Sequence, residues 1–423
     1  MKAHWERSFL TACCLLTALF LAALFLLPAG LTAAPFCLPG AKAEEAVTLR
    51  TVTCFSGADP GAEAYGDLLR EFESKTGISV SDRSSTSDEA WKTSVLNDFA
   101  AGNEPDLLFF FAAGADSAAI LPRVVPVDEI NAAYPELRLP ETEALREPDG
   151  RVYAVPTRGF WEGLYVRSDL FERFGAPLPT TWENLEKAVA VFRENGIVPI
   201  AASLSDIPHY VAEMAILACA DAEEQRMRPQ TTEEVPDSWR QGMRVIRELC
   251  EMGAFAENVL ATDDGAAVEL FLKGEAAMRL DGSWMTDRLS QEDMERTLVL
   301  PMPKKAAAGS AASGYIGGVS MGFYLTRKAW NSPARRDAAV SLLALLTAPE
   351  NLRRLGNGQI SGALERSVAE MTEGREMLSP LQDAMNREAR ETWLLKCVPA
   401  VAEGLMTPEE CWAEVMALAP FSP

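Results

Sequence analysis

Along the chain, apolar residues change from runs to stripes and back, and each change marks an element. After a leader, Val47 to Cys54 reads as a strand, and Phe55-Ser-Gly-Ala-Asp-Pro-Gly61 as the loop that follows it. Tyr65, Leu68, Leu69 and Phe72 then recur at helical spacing, which puts them on one face of a helix that Thr76-Gly77 ends. Ile78 to Val80 starts a second strand, and a second helix is predicted from Glu89 to Ala101. Leu107-Leu-Phe-Phe-Phe111 is apolar at every position, as a parallel strand covered on both faces would be. The order strand, helix, strand, helix, strand predicts an α/β lobe, whose ligands would meet the loops beyond the strand ends, around 55–60 and 111–116.

Val152 to Pro156 reads as another strand. A loop, Thr157-Arg-Gly-Phe-Trp-Glu-Gly163, separates it from renewed extended structure at Leu164 to Val166. Thr181 is placed to cap a helix from Trp182 to Glu194, closed by Asn195-Gly196. A short strand at Ile197–Ile200 and helices near 208–220 and 236–252 follow. Phe271 through Trp284 combines a helix end stopped by Lys273-Gly274, a strand over Ala276–Leu280, and a glycine turn that presents Trp284. Gly282 has no side chain, so a ligand can approach its backbone. Ala306 to Gly314 is small and flexible in composition, Gly317 to Leu325 is a glycine-led strand, Ala334 to Leu346 is a helix, and the remainder reads as helical to about Leu418.

The first residues carry Lys2 and Arg7 ahead of the apolar run Phe9–Leu27, and Ala41-Lys-Ala43 supplies small residues at a cleavage position. Residues 1–43 are therefore expected to be a signal peptide, or an uncleaved anchor of membrane-spanning length. The chain left over is large enough for two lobes. A net charge of −22 argues against nucleic acid and anionic membranes as partners. Five of the eight cysteines, Cys54, Cys219, Cys250, Cys397 and Cys411, follow the leader at wide spacings without a CxxC. Cys219/Cys250 and Cys397/Cys411 are open as disulfides or as buried thiols. Beyond the leader His209 is the single histidine, which leaves little basis for a histidine metal site or a Ser-His-Asp triad.

Flat apolar faces and planar polar groups are what a carbohydrate site requires. Phe55, Phe110, Phe160, Trp161 and Trp284 are the candidate faces. Asp59, Arg158, Glu162 and Asp281 are the candidate hydroxyl partners, with Ser56, Gly282 and Gly318 as neighbouring backbone positions. The alternatives are structural: Asp59 as a helix cap, Phe110 as core, Glu162 as a solvated carboxylate, Asp281 as a brace for the turn, and Trp284 as a core anchor. His209 and Tyr210, after Ser203 to Pro208, are read first as surface or core. Arg158 also leaves room for an anionic ligand through bidentate pairing.

The order of several motifs resembles the extracellular solute-binding proteins of bacterial ABC importers, in the sugar and oligosaccharide branch. The matching segments are Phe72-Glu-Ser-Lys-Thr-Gly77, Gly102-Asn-Glu-Pro-Asp106, Tyr153 to Pro156 with Leu164 to Phe171, and Pro179 to Leu185. Phe271 to Trp284, Gly317-Gly318 and Leu346-Thr-Ala-Pro-Glu350 complete the series. Asn357 to Gly362 departs from the Gly-x-x-Pro loop that such proteins carry there. The resemblance implies a two-lobed periplasmic-binding-protein fold of α/β class, with crossings near Thr157–Arg158, Ser320 and Gly358. Lobe 1 would comprise 44–157 with 321–357, and lobe 2 would comprise 158–320 with 358–423. It further implies hinge closure on a small carbohydrate, a membrane permease as partner, a monomer, an extracytoplasmic or periplasmic location, and no cofactor, metal or catalysis. A secreted glycoside-active enzyme needs two facing carboxylates, and no pair stands out in the sequence. A sugar phosphate, a polyamine, a peptide or an iron complex are the other cargoes, and a sensing role is the other use of the same closed form.

Overall fold

The computed structural model describes residues 47–421, apart from 58, 306–313 and 357. The expected signal peptide and most of the small-residue stretch 306–314 lie outside the described residues. Nine strands form the framework: β1 (Thr48–Val52), β2 (Ser79–Asp82), β3 (Leu107–Phe111), β4 (Val155–Arg167), β5 (Val198–Ala201), β6 (Ala276–Gly282), β7 (Thr297–Leu300), β8 (Gly314–Leu325) and β9 (Glu376–Leu378). Their hydrogen-bonded order is β2-β1-β3-β8-β4-β6-β5, with β7 beside β4 and β9 beside β8. β1 pairs in parallel with β2 and β3, β5 pairs in parallel with β6, and β8 runs antiparallel to both β3 and β4.

Local sequence explains the main helices. Asp88 accepts from the Trp91 amide at 2.7 Å and starts the helix Glu89–Ala101, which Gly102 ends at φ 77°. The Thr181 hydroxyl accepts from the Asn184 amide and starts Trp182–Glu194. Both spans are those the sequence predicts. The amphipathic helix Ala62–Thr76 buries Tyr65, Leu68 and Phe72, and stops at Gly77 with φ 71°.

The apolar side chains gather into two large cores and one smaller one, so the molecule is a two-lobed α/β protein. One core is built on Leu49, Phe72, Phe109, Phe323 and Leu343. The other is built on Leu164, Phe192, Ile216, Trp239, Trp393 and Trp412. The third, around Tyr165, Phe271 and Met285, lies on the other face of β4 from Leu164 and Val166.

β4 and β8 contribute to both large cores. The sequence reading breaks β4 into two strands around a glycine loop at 157–163, whereas one strand runs from Val155 to Arg167. Gly163 is there for room: a Cβ at this position would sit 2.5 Å from Val299 Cγ1 and 2.7 Å from Met371 Sδ. The pairing of β4 with β8 is interrupted twice, on either side of the Arg158–Met321 pair. Pro156 faces Gly322, Arg158 faces Met321 and Gly159 faces Val319, so Thr157 and Ser320 are each left out of the register. Ser320 Oγ donates to the Arg158 carbonyl across this point at 3.2 Å.

Two further differences concern the C-terminal part. β9 interrupts the stretch read as helical, after Gly374 at φ 68°, and residues Thr392–Cys397 form a π-helical turn. None of the five cysteines in the described residues is in a disulfide. No helix among the described residues is long and apolar enough to cross a membrane.

Candidate functional site

Alternation along β4 sends Phe160, Glu162 and Leu164 to one face and Trp161 and Tyr165 to the other. On the Phe160 face lies a cavity of about 980 Å³, lined by Phe160, Gly318, Val319, Gly114 and Asp383 among others. A second cavity, of about 620 Å³, continues beyond Asp383 to Lys92, Phe111, Asp116, His209 and Arg390. The two share Ala113, Asp383 and Arg387 as lining residues. Gly114, at φ 87°, brings its Cα side close to Asp383, whose Oδ1 would be 3.8 Å from an added Cβ. Asp116 meets Lys92 at 3.3 Å and Arg390 at 3.7 Å at this constriction.

Trp284 stands over this face and is 40% exposed. It begins a 3-10 helix, Ser283–Arg288, directly after β6. Its ring centroid lies 5.8 Å from Phe160 and 5.9 Å from Tyr210. Its Nε1 donates to Asp281 Oδ1 at 2.6 Å. Gly282 makes this geometry possible in a way the sequence reading does not anticipate. Its φ of −97° is open to any residue, but a Cβ there would collide with the indole of Trp284. The space at Gly282 belongs to the protein's own tryptophan rather than to a ligand approaching the backbone. Asp281 is a brace: Oδ1 also accepts the Gly282 amide at 2.7 Å, and Oδ2 accepts Arg279 Nε at 2.6 Å.

Glu162 lies directly opposite Gly282 across the β4–β6 pair and is 3% exposed, so it is not a solvated carboxylate. Its Oε2 has no hydrogen-bond partner. Burial holds its pKa well above the carboxylate range, reinforced by the charges of Glu213, Asp383 and Asp281. Burial likewise raises Glu213 to about 7 and Asp383 to about 6. His209 is pushed down to about 3 by burial and by Arg390. Among the described residues no group of three His, Cys, Asp or Glu side chains is arranged to hold a metal ion.

Other sequence candidates take structural roles instead. Phe55 is 4% exposed, stacked between Tyr65 at 4.8 Å and Phe109 at 4.6 Å, and Phe110 is 0% exposed against Trp91; both are core, not ligand faces. Arg158 and Asp59 satisfy each other. Nη1 and Nη2 reach the two Asp59 oxygens at 2.7 Å each, Nε donates to the Leu355 carbonyl at 2.9 Å, and the guanidinium lies 4.9 Å over the Phe55 ring. Asp59 also accepts from the Gly61 amide, which closes the turn ahead of the helix; the N-cap is Gly61, without a side-chain cap bond, so Asp59 is a turn residue and not the helix cap. Ser56 is half-buried in the turn after β1. Trp161 faces away from Phe160 and stacks on Tyr165 at 5.8 Å. Gly318 sits opposite Phe160, in van der Waals reach of its ring.

Phe160, Glu162, Gly318 and Trp284 are thus brought together, and Tyr210, Glu213 and Asp383 join them. Asp383 falls in a stretch whose pattern reads only as helical, and Glu213 is a single carboxylate inside an apolar helix, His209–Cys219. A buried acid in such a helix is the one signal that was available.

Comparison with known proteins sets this arrangement in a family. The chain is 22% identical over 275 residues to an uncharacterised ABC transporter extracellular-binding protein of Pyrococcus horikoshii; the match spans 62% of each chain. Among solved structures, a chitin oligosaccharide binding protein superposes with a TM-score of 0.73 at 20% identity, covering 88% of this chain and 98% of that one. A sugar transporter protein of Bacillus licheniformis in complex with stachyose superposes with a TM-score of 0.64 at 15% identity, covering 88% and 98%. These likenesses speak for the fold. Residues 56–352 match the model of the bacterial extracellular solute-binding proteins, and the chain belongs to that family.

Proposed function

We propose that this protein is an exported carrier that captures a carbohydrate between its lobes and delivers it to an ABC-transporter permease. The observation that carries the reading is the half-exposed Trp284 indole, held by Asp281 and flanked by Tyr210 and by Phe160, which itself lines a cavity of about 980 Å³. An aromatic cluster that reaches the wall of a cavity of this size suits a glycan. The relatives named above, which include proteins described by chitin oligosaccharide and stachyose, support the cargo class. The lobes are taken as 44–157 with 321–357 and 158–320 with 358–423, in keeping with the two large cores. Residues 1–43 act as the export signal, the carrier works outside the cytoplasm, and it works as a monomer.

A glycan without phosphate fits better than a sugar phosphate, because the donors of Arg158 are already committed to Asp59 and Leu355. A hydrolase built on Asp59 and Asp281 is disfavoured, since Asp59 is bound by Arg158 and Asp281 by Arg279, Gly282 and Trp284. A thermal-shift screen of mono-, di- and oligosaccharides, sugar phosphates, polyamines and peptides tests the reading. A cleft ligand binds only the folded form and raises the midpoint, by about 3 kcal/mol of stability at a hundred times its Kd. A shift from a peptide or polyamine with none from any glycan overturns the cargo.

A further inference from the structure

The cations around the cleft are matched by partners, whereas one buried carboxyl group is not. Arg158 is saturated by Asp59 and Leu355. Lys92 and Arg390 both address Asp116. Arg228, on the rim of the larger cavity, donates to the carbonyls of Gln225 and Met227 and lies over Phe421. By contrast, Glu162 Oε2 is sealed from water with no donor in reach. Leaving such an acceptor unmade costs free energy that only a partner would recover.

Its position relates it to the aromatic platform. It lies opposite Gly282, over which the Trp284 indole is packed, and two residues from Phe160 on the same face of β4. Charges face it from several elements. Tyr210 and Glu213 stand on the helix His209–Cys219 with His209, and Asp383 stands with Arg387 and Arg390 beyond. Asp281 stands with Arg279 on β6, and Asp116 and Lys92 close the far side. Glu213 is already bonded to the Gln382 amide and to Gln225. Asp383 lines both cavities. Three aromatic rings, the unpartnered Glu162 carboxyl and a second carboxyl at Asp383, which Arg390 offsets only in part, are the components of a site for an organic cation.

We infer that the cleft selects glycans bearing a free, protonated amino group, with Glu162 and Asp383 accepting from the ammonium and Trp284, Phe160 and Tyr210 offering their faces to it. This rests on the carbohydrate reading and narrows it. The chain's charge of −22 favours the approach of such a ligand. Binding has a proton balance. The ligand enters as R–NH3⁺, any proton that burial holds on the Glu162 carboxyl passes to the buffer, and the resulting carboxylate pairs with the ammonium; no covalent bond of the ligand changes.

Isothermal titration at about pH 5.5, where the chitosan amines are protonated, in two buffers of different ionisation enthalpy, tests this with three oligomers of equal length: a chitosan oligomer, its N-acetylated counterpart and a cello-oligomer. The expected result is binding of the chitosan oligomer about tenfold tighter than the other two, with a net proton release that the other two lack. Glu162→Gln, which keeps the volume, removes both the preference and the proton release. Should that variant fold poorly, Asp383→Asn, at the cavity wall, carries the same test and loses most of the preference. Equal or tighter binding of the N-acetylated or cello-oligomer overturns the inference and leaves the carbohydrate reading standing. Binding of spermidine with no binding of any oligomer overturns both.

Discussion

Replacing Trp284 by alanine separates what this side chain does for the fold from what it does for a ligand. A tryptophan side chain presents up to about 250 Å². At 40% exposure, about 100 Å² is open to the cleft and about 150 Å² is packed on Gly282, Phe160 and Tyr210. At about 25 cal/mol per Å² the packed part amounts to roughly 4 kcal/mol of stability, an upper bound. The open part amounts to about 2.5 kcal/mol on full coverage by a sugar, or about 60-fold in Kd. Asp281 Oδ1 loses the indole donor but keeps the Gly282 amide, so no buried acceptor is stranded. Urea unfolding without ligand, followed by circular dichroism, measures the first quantity, and calorimetric titration with a glycan from the screen measures the second. Trp284→Phe recovers part of both. An alanine variant that loses stability yet binds with unchanged Kd refutes the stacking role and returns Trp284 to the core.

Three other expectations follow from the same geometry. Asp59→Asn leaves the buried Arg158 guanidinium without its charge partner and lowers stability by about 3–5 kcal/mol, read by denaturant unfolding; a loss under 1 kcal/mol contradicts the closed pairing. Gly282→Ala, with no backbone strain at φ −97°, costs about 1–3 kcal/mol by steric conflict alone and changes the fluorescence of Trp284; an unchanged spectrum and midpoint speak against the indole packing. Glu213, raised from 4.5 to about 7 in the folded protein, binds its proton more tightly there than in the unfolded chain. Its stabilising contribution is therefore complete below about pH 4.5 and is lost as pH rises toward 7, by about 3 kcal/mol in all. Glu213→Gln flattens the midpoint-versus-pH curve across that window, and a wild-type midpoint that climbs between pH 5 and 7 contradicts it unless Glu213→Gln climbs more steeply.

Much of the fold was readable because local rules decided it. Thr181 and Asp88 cap helices whose ends fall where the side chains say, and Leu107 to Phe111 could only be a strand covered on both faces. The errors arise where a distant segment supplies the reason. Gly163 looks like a turn residue until Val299 and Met371 are seen pressing on it. Phe55 looks like a cleft face because it ends a strand, and only the fold shows Arg158 lying over its ring. Trp284 and Phe160 were legible as two of five candidate faces, but their contact was not. Asp383 was not, because its importance comes from where a loop is folded back, and that leaves no periodicity to read.

The paired irregularity at Thr157 and Ser320 has a mechanical consequence. β4 and β8 are bonded to each other from Val155–Phe323 to Trp161–Gly317 and carry side chains of both cores. Rotation of one core against the other is a torsion applied to this ribbon. Regular ladder resists torsion by stretching every rung, whereas a step where Thr157 and Ser320 drop out of the β4–β8 register locally disrupts that ladder. The compliance of the molecule is therefore concentrated within one rung spacing, and the Ser320–Arg158 bond sets how stiff that rung is. Ser320→Ala softens it without touching any residue of the cleft wall, which makes the opening amplitude, followed by small-angle scattering, adjustable independently of ligand contacts.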